Sequence, residues 1–440
     1  MKTSAESKRL AGLPLHEAID MRTRDGLDRS APAPAIDRAH PVVLIVEPDF
    51  TGHRWRYAQW AAQAFTEAGR RCVIATTSAN AHHPLAQSIA SEQLPGIGLA
   101  LIDERPPSNP CAAYVEHIPY VGHHRYFAQA YASVSARTSI SFVLVPYIDY
   151  FLYALPFLGS PFNDTSWIGI TMRTTFHHRH VGVKTPDRPL INAIKATLFQ
   201  RALRTPGLRT LLSIDPTLMQ WSEQASPQAQ RGARIAYLAD PFPDLHAPDA
   251  AQARARLRLA LGPHLLVYGS ITERKGIREL IVALEAMASP PTLVVAGQQD
   301  EATRAFLRTH GSRLAPAPVV IDRFIDNETE LDLFSACEVL WLGYKGHYAM
   351  SGVLVQAYRF GKRVIATSEG LIGWFCAEDA FGPVLDDLSP PSIATAIDRA
   401  FATQRPVDAP TMGPRGSLLE HHTLDAFKRT LRDAAMVRAG

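Results

Sequence analysis

The 440-residue chain lacks the features that mark secreted, metal-bound or membrane-spanning proteins. No run of 18 apolar residues occurs, and the first residues lack the apolar core of a signal peptide. Only four cysteines are present, without a Cys-x-x-Cys pair: Cys72, Cys111, Cys337 and Cys376. We therefore expect buried thiols in a reducing cytoplasm and neither a disulfide frame nor a metal site.

Net charge is also small. With 45 basic and 42 acidic residues the chain carries +3, which does not favour a nucleic-acid partner. Residues 171–210 are the exception, since they contain eight Lys or Arg and a single acid, Asp187. Within them, residues 191–204 form a basic amphipathic segment. It predicts either a helix that covers a sheet with a solvated basic face or peripheral contact with an anionic membrane.

From residue 40 onward, short apolar runs alternate with helical patterns, seven strands before residue 240 and five after it. Such alternation predicts an α/β protein with two tandem doubly wound, Rossmann-like domains that face a cleft. The predicted parts are a flexible extension (1–39), an N-terminal acceptor-side domain (40–240), a proline-rich linker (241–250), a C-terminal donor domain (251–415) and a final helix that crosses back to the first domain (416–440).

Residues 264–276 carry the strongest local signal. An apolar run ends at Gly269, and a basic pair, Arg274 and Lys275, precedes a helical pattern over 276–287. A glycine turn, a lysine and a helix N-terminus bring backbone amides and a cation together, which suits a phosphate group. The spacing is not that of a P-loop. An ordinary strand-to-helix turn with a solvated basic pair would give the same pattern.

Several segments of the second half follow one another in an informative order. Tyr-Gly-Ser-Ile-Thr-Glu-Arg-Lys-Gly (268–276) precedes Leu-Val-Val-Ala-Gly (293–297), a turn with Glu-Leu (323–331), Leu-Phe-Ser-Ala-Cys-Glu-Val (333–339) and a helical segment ending in Gly-Lys-Arg-Val-Ile-Ala-Thr-Ser (351–368). This series resembles the donor domain of the retaining GT-B glycosyltransferases of family 4. The first half resembles that family less strongly, and its main similarity lies in the loop at 47–53.

The resemblance implies a GT-B fold and a nucleotide-sugar donor that needs no metal. Lys275 is then expected to stabilise the leaving diphosphate, and His53, in the first loop, is the second catalytic candidate. A surface loop histidine would look the same at position 53. The positions assigned to donor binding are Gly52, Gly269, Ser270, Arg274, Ile325, Ser351, Gly352 and Gln356. A plain helix cap would equally explain Ser351 and Gly352, and plain packing would explain Ile325.

Departures from the family pattern also matter. The family's Glu-x7-Glu pair falls on Tyr348 and Gln356, so both carboxylates are missing. Gln356 can still hydrogen-bond ribose hydroxyls through its amide, whereas Tyr348 cannot replace a carboxylate. Asp149 is the best carboxylate for an inverting base. One histidine cluster has the composition of a metal site but poor ligand spacing: His177, His178 and His180.

The expected function is transfer of a sugar from a nucleotide sugar to a glycan or lipid-linked acceptor, with retention, in bacterial envelope or exopolysaccharide synthesis. The protein would be cytoplasmic, with peripheral contact at the inner face of the membrane through 191–204. Two alternatives stay open. The missing carboxylates favour a non-catalytic GT-B protein that serves as partner or scaffold of another transferase, and the fold also suits a sugar-nucleotide epimerase.

Overall fold

A computed structural model describes residues 37–51, 54–103, 119–224, 232–242, 246–377, 381–402 and 413–436. Two parallel β-sheets organise these residues. The first contains β1 (Asp37–Val46), β2 (Arg71–Thr77), β3 (Ile97–Ile102), β4 (Thr138–Val145), β5 (Trp167–Thr171), β6 (Leu208–Ser213) and β7 (Arg234–Tyr237). The second contains β8 (His264–Tyr268), β9 (Thr292–Ala296), β10 (Val319–Ile321), β11 (Val339–Leu342), β12 (Arg363–Thr367) and β13 (Val384–Leu385).

Helices connect the strands in both halves. The helices of the first half are α1 (Arg54–Thr66), α2 (Pro84–Ala90), α3 (Pro119–Ser135), α4 (Leu155–Leu158), α5 (Pro189–Ala202) and α6 (Pro216–Gln224). Those of the second half are α7 (Ala250–Leu257), α8 (Ile277–Ala286), α9 (Glu301–His310), α10 (Asn327–Ala336), α11 (Gly352–Arg359), α12 (Gly370–Cys376), α13 (Pro390–Ala402), α14 (Gly413–Glu420) and α15 (Leu424–Met436).

Strand order places the functional edge of each sheet. The first sheet runs β3-β2-β1-β4-β5-β6-β7 and the second β10-β9-β8-β11-β12-β13, with every neighbouring pair parallel. The order reverses direction between β1 and β4 and between β8 and β11. Ligands of doubly wound sheets bind beyond the carboxyl ends of the strands at such switch points. The loops after β1 and β8 are therefore the first places to look for a site.

Both faces of each sheet are covered, as the apolar strands require. In β1, Val43 and Ile45 pack into the hydrophobic cluster that includes α1, while Leu44 and Val46 pack into the cluster on the opposite face. Alternate residues of a strand point to opposite faces, so a strand buried on both sides must be apolar throughout. This explains why the strands appear in the sequence as continuous apolar runs.

The predicted fold class is confirmed: all seven predicted strands of the first half and all five of the second are present. The structure adds the two-residue strand β13, helix α12 and several short helices, which are too brief to give a sequence period. The third of the five strands predicted in the second half, over residues 319–324, ends at Ile321. The final helix predicted over 416–440 is two helices in the structure, because a turn at 421–423 separates α14 from α15.

The last helix packs against the first half of the chain. The rings of Tyr57 in α1 and Phe427 in α15 meet edge to face at 5.4 Å between centroids. Lys428 pairs with Glu67, and the guanidinium of Arg432 donates to the carbonyl oxygen of Ala64 at 3.4 Å. The extension predicted over 1–39 lies outside the described residues up to position 36, and β1 begins at Asp37. The other domain boundaries stay predictions. Within the described part of the chain, no helix has the length and apolarity needed to cross a bilayer.

Candidate functional site

The chain turns tightly where β8 ends. Gly269 has φ of +101°, and Gly297, at the end of neighbouring β9, has φ of +136°. A Cβ atom on Gly297 would lie 1.8 Å from the carbonyl oxygen of Gly269, so the two strand ends approach this closely only because position 297 is glycine. The contact fixes the start of the loop that carries Lys275.

Lys275 ends a short 3₁₀ helix (Glu273–Lys275), and its side chain is buried. The Nζ atom donates to the carbonyl oxygen of Tyr268 at 2.9 Å and to the hydroxyl of Tyr344 at 2.5 Å. It also lies 4.0 Å from the centroid of the Tyr344 ring, within cation–π range. The main chain is held as well, since the indole of Trp341 donates to the carbonyl oxygen of Lys275 at 2.7 Å. The lysine is thus folded beneath the end of β8.

Burial sets the electrostatics of this lysine. Loss of solvent, with a smaller contribution from the positive charge of Arg274, lowers the pKa of Lys275 from 10.5 to about 7. Arg274 itself is exposed, so the basic pair is divided between the interior and the surface, and the alternative of a solvated pair applies to Arg274 alone. A buried ammonium without a neighbouring anion is poorly stabilised and gains from the arrival of a negative group.

The N-terminus of α11 lies beside this lysine. Ser351 occupies the N-cap position, but its side chain makes no cap hydrogen bond and bonds to the Tyr344 hydroxyl instead. Lys275, Tyr344 and Ser351 therefore form one continuous hydrogen-bonded chain. The first amides of α11, beginning at Gly352, have no capping side chain, and the positive end of the helix dipole is directed to the same place. A cation and a helix N-terminus converge here.

His347 belongs to the same loop, although the sequence did not indicate it. Its ring meets that of Tyr344 edge to face at 5.6 Å. Its Nε2 atom is buried and has no hydrogen-bond partner among the described residues. Burial and the charges of Arg274 and Lys275 lower the pKa of His347 to about 4, so the ring is neutral near pH 7. A neutral imidazole with an unpaired nitrogen offers one further polar contact to a ligand.

A second polar group lies on the other side of Tyr268. Its hydroxyl and the amide of Gln356 both hydrogen-bond to the carboxyl group of Glu330. Burial raises the pKa of Glu330, while these hydrogen bonds and the positive charge of Arg56 from α1 oppose the rise. Ile325 is buried in the loop after β10. We call Lys275, Tyr344 and Ser351 the lysine group, and Glu330 with Gln356 the glutamate group. Tyr268 contacts the lysine group through its carbonyl oxygen and the glutamate group through its hydroxyl.

Apart from Ile325, which is buried in the loop after β10, the predicted site residues fall into four sets. Those in or beside the lysine group are Gly269, Arg274, Lys275, Ser351 and Gly352, while Gln356 lies in the glutamate group. Ser270 is exposed at the turn after β8. Gly52 and His53 lie outside the described residues, so their roles stay predictions.

The first sheet carries its own buried polar cluster at the corresponding edge. Glu47 follows β1 directly, and its side chain is fully buried. Its Oε1 atom accepts hydrogen bonds from the hydroxyl of Tyr150 at 2.9 Å and from the amide of Asp49 at 3.1 Å. Arg54, at the start of α1, donates to the same tyrosine hydroxyl at 2.8 Å and pairs with Asp49. Burial raises the pKa of Glu47 to about 8, against the opposing effect of these hydrogen bonds and of Arg54.

Tyr147 extends this cluster. Its ring centroid lies 5.0 Å from the guanidinium carbon of Arg54 and 5.5 Å from that of Arg173. Two polar atoms of the cluster, Oε2 of Glu47 and the hydroxyl of Tyr147, are buried without a hydrogen-bond partner in the described part of the chain. Buried polar groups are rarely left unpaired, so these two atoms mark a position suited to a polar ligand or a water molecule.

Asp149 serves mainly to tie two strand ends together. Its oxygens accept hydrogen bonds from the hydroxyl of Thr171 and from the amide of Met172, both at 2.7 Å. Burial raises the pKa of Asp149, and these bonds oppose the rise. Both oxygens are thus engaged with the end of β5, although the possible role as an inverting base stays a prediction.

His177 and His178 are buried around Asp215, whereas His180 is exposed. Their Nε2 atoms lie 3.1 Å and 2.8 Å from one carboxylate oxygen, and the hydroxyl of Thr217 donates to the other at 2.6 Å. The side chains of His177, His178 and Asp215 offer ligand atoms within 4.8 Å of one another, close enough for a metal ion. However, metal-bound histidines usually donate their second ring nitrogen to an acceptor, and both Nδ1 atoms lack a partner among the described residues. The donor set fits a hydrogen-bonded carboxylate better than a metal.

Contacts between the two halves place these groups around one cleft. The amide of Gly370 donates to the carbonyl oxygen of Lys184 at 2.8 Å, and the ammonium of Lys184 lies 2.8 Å from Asp386. Arg56 of α1 is close enough to Glu330 of α10 to stabilise its charge. The carboxyl edges of both sheets therefore face the same space.

Comparison with known proteins identifies the fold. No protein-family model and no curated protein sequence matches the chain. Among solved structures, a sucrose-phosphate synthase from Thermosynechococcus elongatus has a TM-score of 0.63 at 16% identity and covers 90% of this chain and 98% of its own. WaaG, a glycosyltransferase involved in lipopolysaccharide biosynthesis, has a TM-score of 0.56 at 14% identity, with 90% and 100% covered.

HepE from Anabaena, in complex with UDP and glucose, has a TM-score of 0.57 at 11% identity and covers 90% of this chain and 99% of its own. At these identities the likeness concerns the fold alone. Together with the two parallel sheets and their facing edges, it shows that the chain has the two-domain GT-B fold, as predicted.

Proposed function

We propose that the chain is a metal-independent glycosyltransferase that moves a sugar from a nucleotide sugar to a glycan or lipid-linked acceptor with retention of configuration. The observation that carries the proposal is buried Lys275, which is linked through Tyr344 to the uncapped N-terminus of α11. This arrangement supplies two kinds of positive charge to one anion and needs no metal to do so. A nucleoside diphosphate is a ligand of the required charge.

The donor would lie along Tyr268, with its diphosphate at Lys275 and its nucleoside toward the glutamate group. The amide of Gln356 and the carboxylate of Glu330 are suited to ribose hydroxyls, since one donates and the other accepts. The main chain around Ile325 would meet the base. The solved HepE complexes contain UDP and UDP-glucose, which makes uridine nucleotides the first donors to test.

In the reaction, the bond between the sugar anomeric carbon and the diphosphate oxygen breaks, and a bond to the acceptor oxygen forms. The negative charge that develops on the diphosphate is stabilised by Lys275 and the α11 amides. Retention follows if a donor phosphate oxygen takes the acceptor proton on the same face. The acceptor-side carboxylates support this course, because Asp149 is engaged by two hydrogen bonds and Glu47 has no exposed surface.

The acceptor would bind at the edge of the first sheet, near Arg54, Tyr147 and Arg173. These side chains combine aromatic surface with positive charge, which suits a sugar ring joined to phosphate. The fold shared with WaaG, whose role is lipopolysaccharide synthesis, supports a role in envelope or exopolysaccharide synthesis at the cytoplasmic side of the membrane.

The proposal is tested with a pair of lysine variants. Lys275→Met removes the proposed diphosphate contact. Lys362→Met removes another lysine with a lowered pKa, which is half-buried and donates to the carbonyl oxygen of Ser335 at 2.9 Å. Lys362 lies before β12, at the opposite end of the sheet. Binding of UDP and UDP-glucose is measured by calorimetry in EDTA, and transfer by product analysis.

We expect Lys275→Met to weaken nucleotide binding by about tenfold to a hundredfold, the loss of one charge-assisted contact, and Lys362→Met to leave binding unchanged. Equal binding by both variants would contradict the site. An active enzyme whose product has the inverted anomeric configuration would keep the site and reject retention. Binding without any transfer would instead favour the non-catalytic alternative, which the absence of a carboxylate at Tyr348 also suggests.

A further inference from the structure

One end of the first domain exposes an unusual amount of apolar surface. In the part of the chain that the structure describes, twelve large apolar side chains are exposed, and six of them belong to this end. We call these six the apolar face: Tyr120, Phe157, Leu158, Leu190, Ile191 and Ile194. Phe157, Leu190 and Ile194 expose 71%, 79% and 61% of their surface. Clusters of this kind mark an interaction surface, whereas single exposed apolar residues do not.

Packing brings the six residues together. Helix α4, which carries Phe157 and Leu158, packs against α5, and both pack against the 3₁₀ helix Leu152–Ala154. The ring of Tyr120 meets that of Tyr153 in this 3₁₀ helix at 6.2 Å. Within α5, Leu190 and Ile194 are four residues apart and share one side, while Phe199 and Ala202 on the other side are buried. The apolar face therefore spans three helices, α3, α4 and α5, that all pack against the same 3₁₀ helix.

Positive charge borders this surface. Helix α5 and its flanks contain no Asp or Glu from position 188 to position 214. The basic side chains Arg188, Lys195 and Arg201 are all exposed beside the apolar residues. A helix with apolar residues and Lys or Arg on its exposed side suits the boundary between lipid headgroups and acyl chains. The same charge disfavours a second copy of this chain, because two such surfaces would repel one another.

The surface also lies next to the cleft. The segment that leads into α5 contains Lys184, which contacts the second half through its carbonyl oxygen and through its ion pair with Asp386. A membrane that touched α5 would therefore lie close to the edges of both sheets. A lipid-linked molecule in that membrane could reach the cleft without leaving the bilayer.

We propose that the apolar face, with its border of Arg188, Lys195 and Arg201, is a docking surface for an anionic lipid bilayer. Helix α5 lies in the plane of the membrane interface, the apolar side chains enter the boundary of the acyl chains, and the basic side chains meet lipid phosphates. The inference extends the basic segment 191–204 to residues of α3 and α4 that the sequence did not connect with it. It does not depend on nucleotide binding.

The test is flotation of the full chain with vesicles of phosphatidylcholine containing 30% phosphatidylglycerol, at low salt and without nucleotide. We expect the protein to float with these vesicles and to stay unbound with pure phosphatidylcholine. Raising the salt should weaken flotation, since screening shortens the range of the attraction. Because no nucleotide is present, failure here is separate from failure of the transferase proposal.

Two variants and a matched control make the test specific. The double change Leu190→Ser and Ile194→Ser should lower the partition coefficient by about tenfold or more, because two apolar side chains no longer enter the interface. Lys195→Gln with Arg201→Gln should lower it by roughly thirtyfold on anionic vesicles. The control is Leu261→Ser, which removes a side chain that is 99% exposed in the second half of the chain.

Leu261→Ser should bind as the unchanged protein does. The proposal is overturned if the unchanged protein does not float with anionic vesicles, or if the Leu190→Ser and Ile194→Ser double variant floats equally well. The proposal is also overturned if light scattering shows a dimer that dissociates only in the Leu190→Ser and Ile194→Ser double variant. The apolar face would then be covered by a second copy of the chain.

Discussion

Nucleotide binding should depend on pH through Lys275. Its pKa of about 7 in the free protein means that about half of the molecules carry an ammonium at pH 7, about one in ten at pH 8 and about one in a hundred at pH 9. If only the ammonium form binds diphosphate, the dissociation constant should rise roughly fivefold from pH 7 to pH 8 and roughly fiftyfold from pH 7 to pH 9. The terminal phosphate itself is almost fully ionised above pH 7, since its pKa is about 6.

Isothermal titration at pH 7, 8 and 9 measures this directly, with whichever of UDP, GDP, ADP and CMP binds best. In Lys275→Met the affinity should be low at pH 7 and should not change with pH. Lys362→Met should keep the full pH dependence, because the side chain that it removes lies at the other end of the sheet from Lys275. A dissociation constant that is constant from pH 7 to pH 9 in the unchanged protein would refute the role of Lys275.

Protein stability gives an independent view of the same residue. The pKa of Lys275 is lowered on folding, so the unfolded chain binds more protons between pH 7 and pH 10.5 and stability falls as pH decreases through that window. A shift from 10.5 to about 7 corresponds to a cost of up to about 5 kcal/mol at pH 7 and below. Lys275→Met should therefore raise the free energy of unfolding near pH 7 while it lowers nucleotide affinity. A variant that is both less stable and unable to bind would show a purely structural lysine.

Three further predictions concern the framework of the site. Glu47→Gln should become more stable than the unchanged protein as the pH rises from 4.5 to above 8, by up to about 5 kcal/mol in urea unfolding. The reason is that folding raises the pKa of Glu47 to about 8, so that its ionisation destabilises the unchanged protein. A stability difference between the two proteins that is the same at pH 5 and pH 8.5 would contradict this. Gly262→Ala should lower the free energy of unfolding by about 1–2 kcal/mol, because of its positive φ of +138° alone. Gly297→Ala has a similar φ but should cost at least about 2 kcal/mol more, because its Cβ meets a carbonyl oxygen. Similar losses of stability in the two variants would show that the close approach is unimportant. Asp215→Asn should lower the free energy of unfolding by about 2–4 kcal/mol, since it weakens the hydrogen bonds to two buried histidines. Asp386→Asn, in an exposed pair with Lys184, should lower it by less than about 1 kcal/mol. Equal losses of stability in the two variants would refute this difference between a buried and an exposed carboxylate.

The sheets were predictable because their strands are apolar on both faces. Val43, Leu44, Ile45 and Val46 alternate between two clusters, which leaves no polar position to interrupt the run. The two-residue strand β13 and helix α12 were not predicted, since their positions depend on contacts with β12 and the first half of the chain. The turn between α14 and α15 lacks the glycine or proline that would mark it in the sequence.

The site was only partly predictable for a similar reason. The sequence places Lys275 beside a glycine turn, but its burial beneath Tyr344 results from the loop after β11, which lies 69 residues further along the chain. Glu47 gave a usable signal, because a carboxylate that directly follows a buried strand lies at the functional edge of a parallel sheet. The partnership of Glu330 with Tyr268 and Gln356 gave none, since it joins three elements that are distant in the chain.

We propose that the cleft binds a nucleotide sugar without a metal. A thermal-shift screen of the full chain against UDP, GDP, ADP, CMP and their common sugar conjugates, with magnesium and with EDTA, examines this claim. A ligand at a hundredfold excess over its dissociation constant stabilises the folded state by about 2.7 kcal/mol, which is readily detected. We predict a shift with one nucleotide family that is the same in magnesium and in EDTA. A well-folded sample that shows no shift with any nucleotide would contradict the claim.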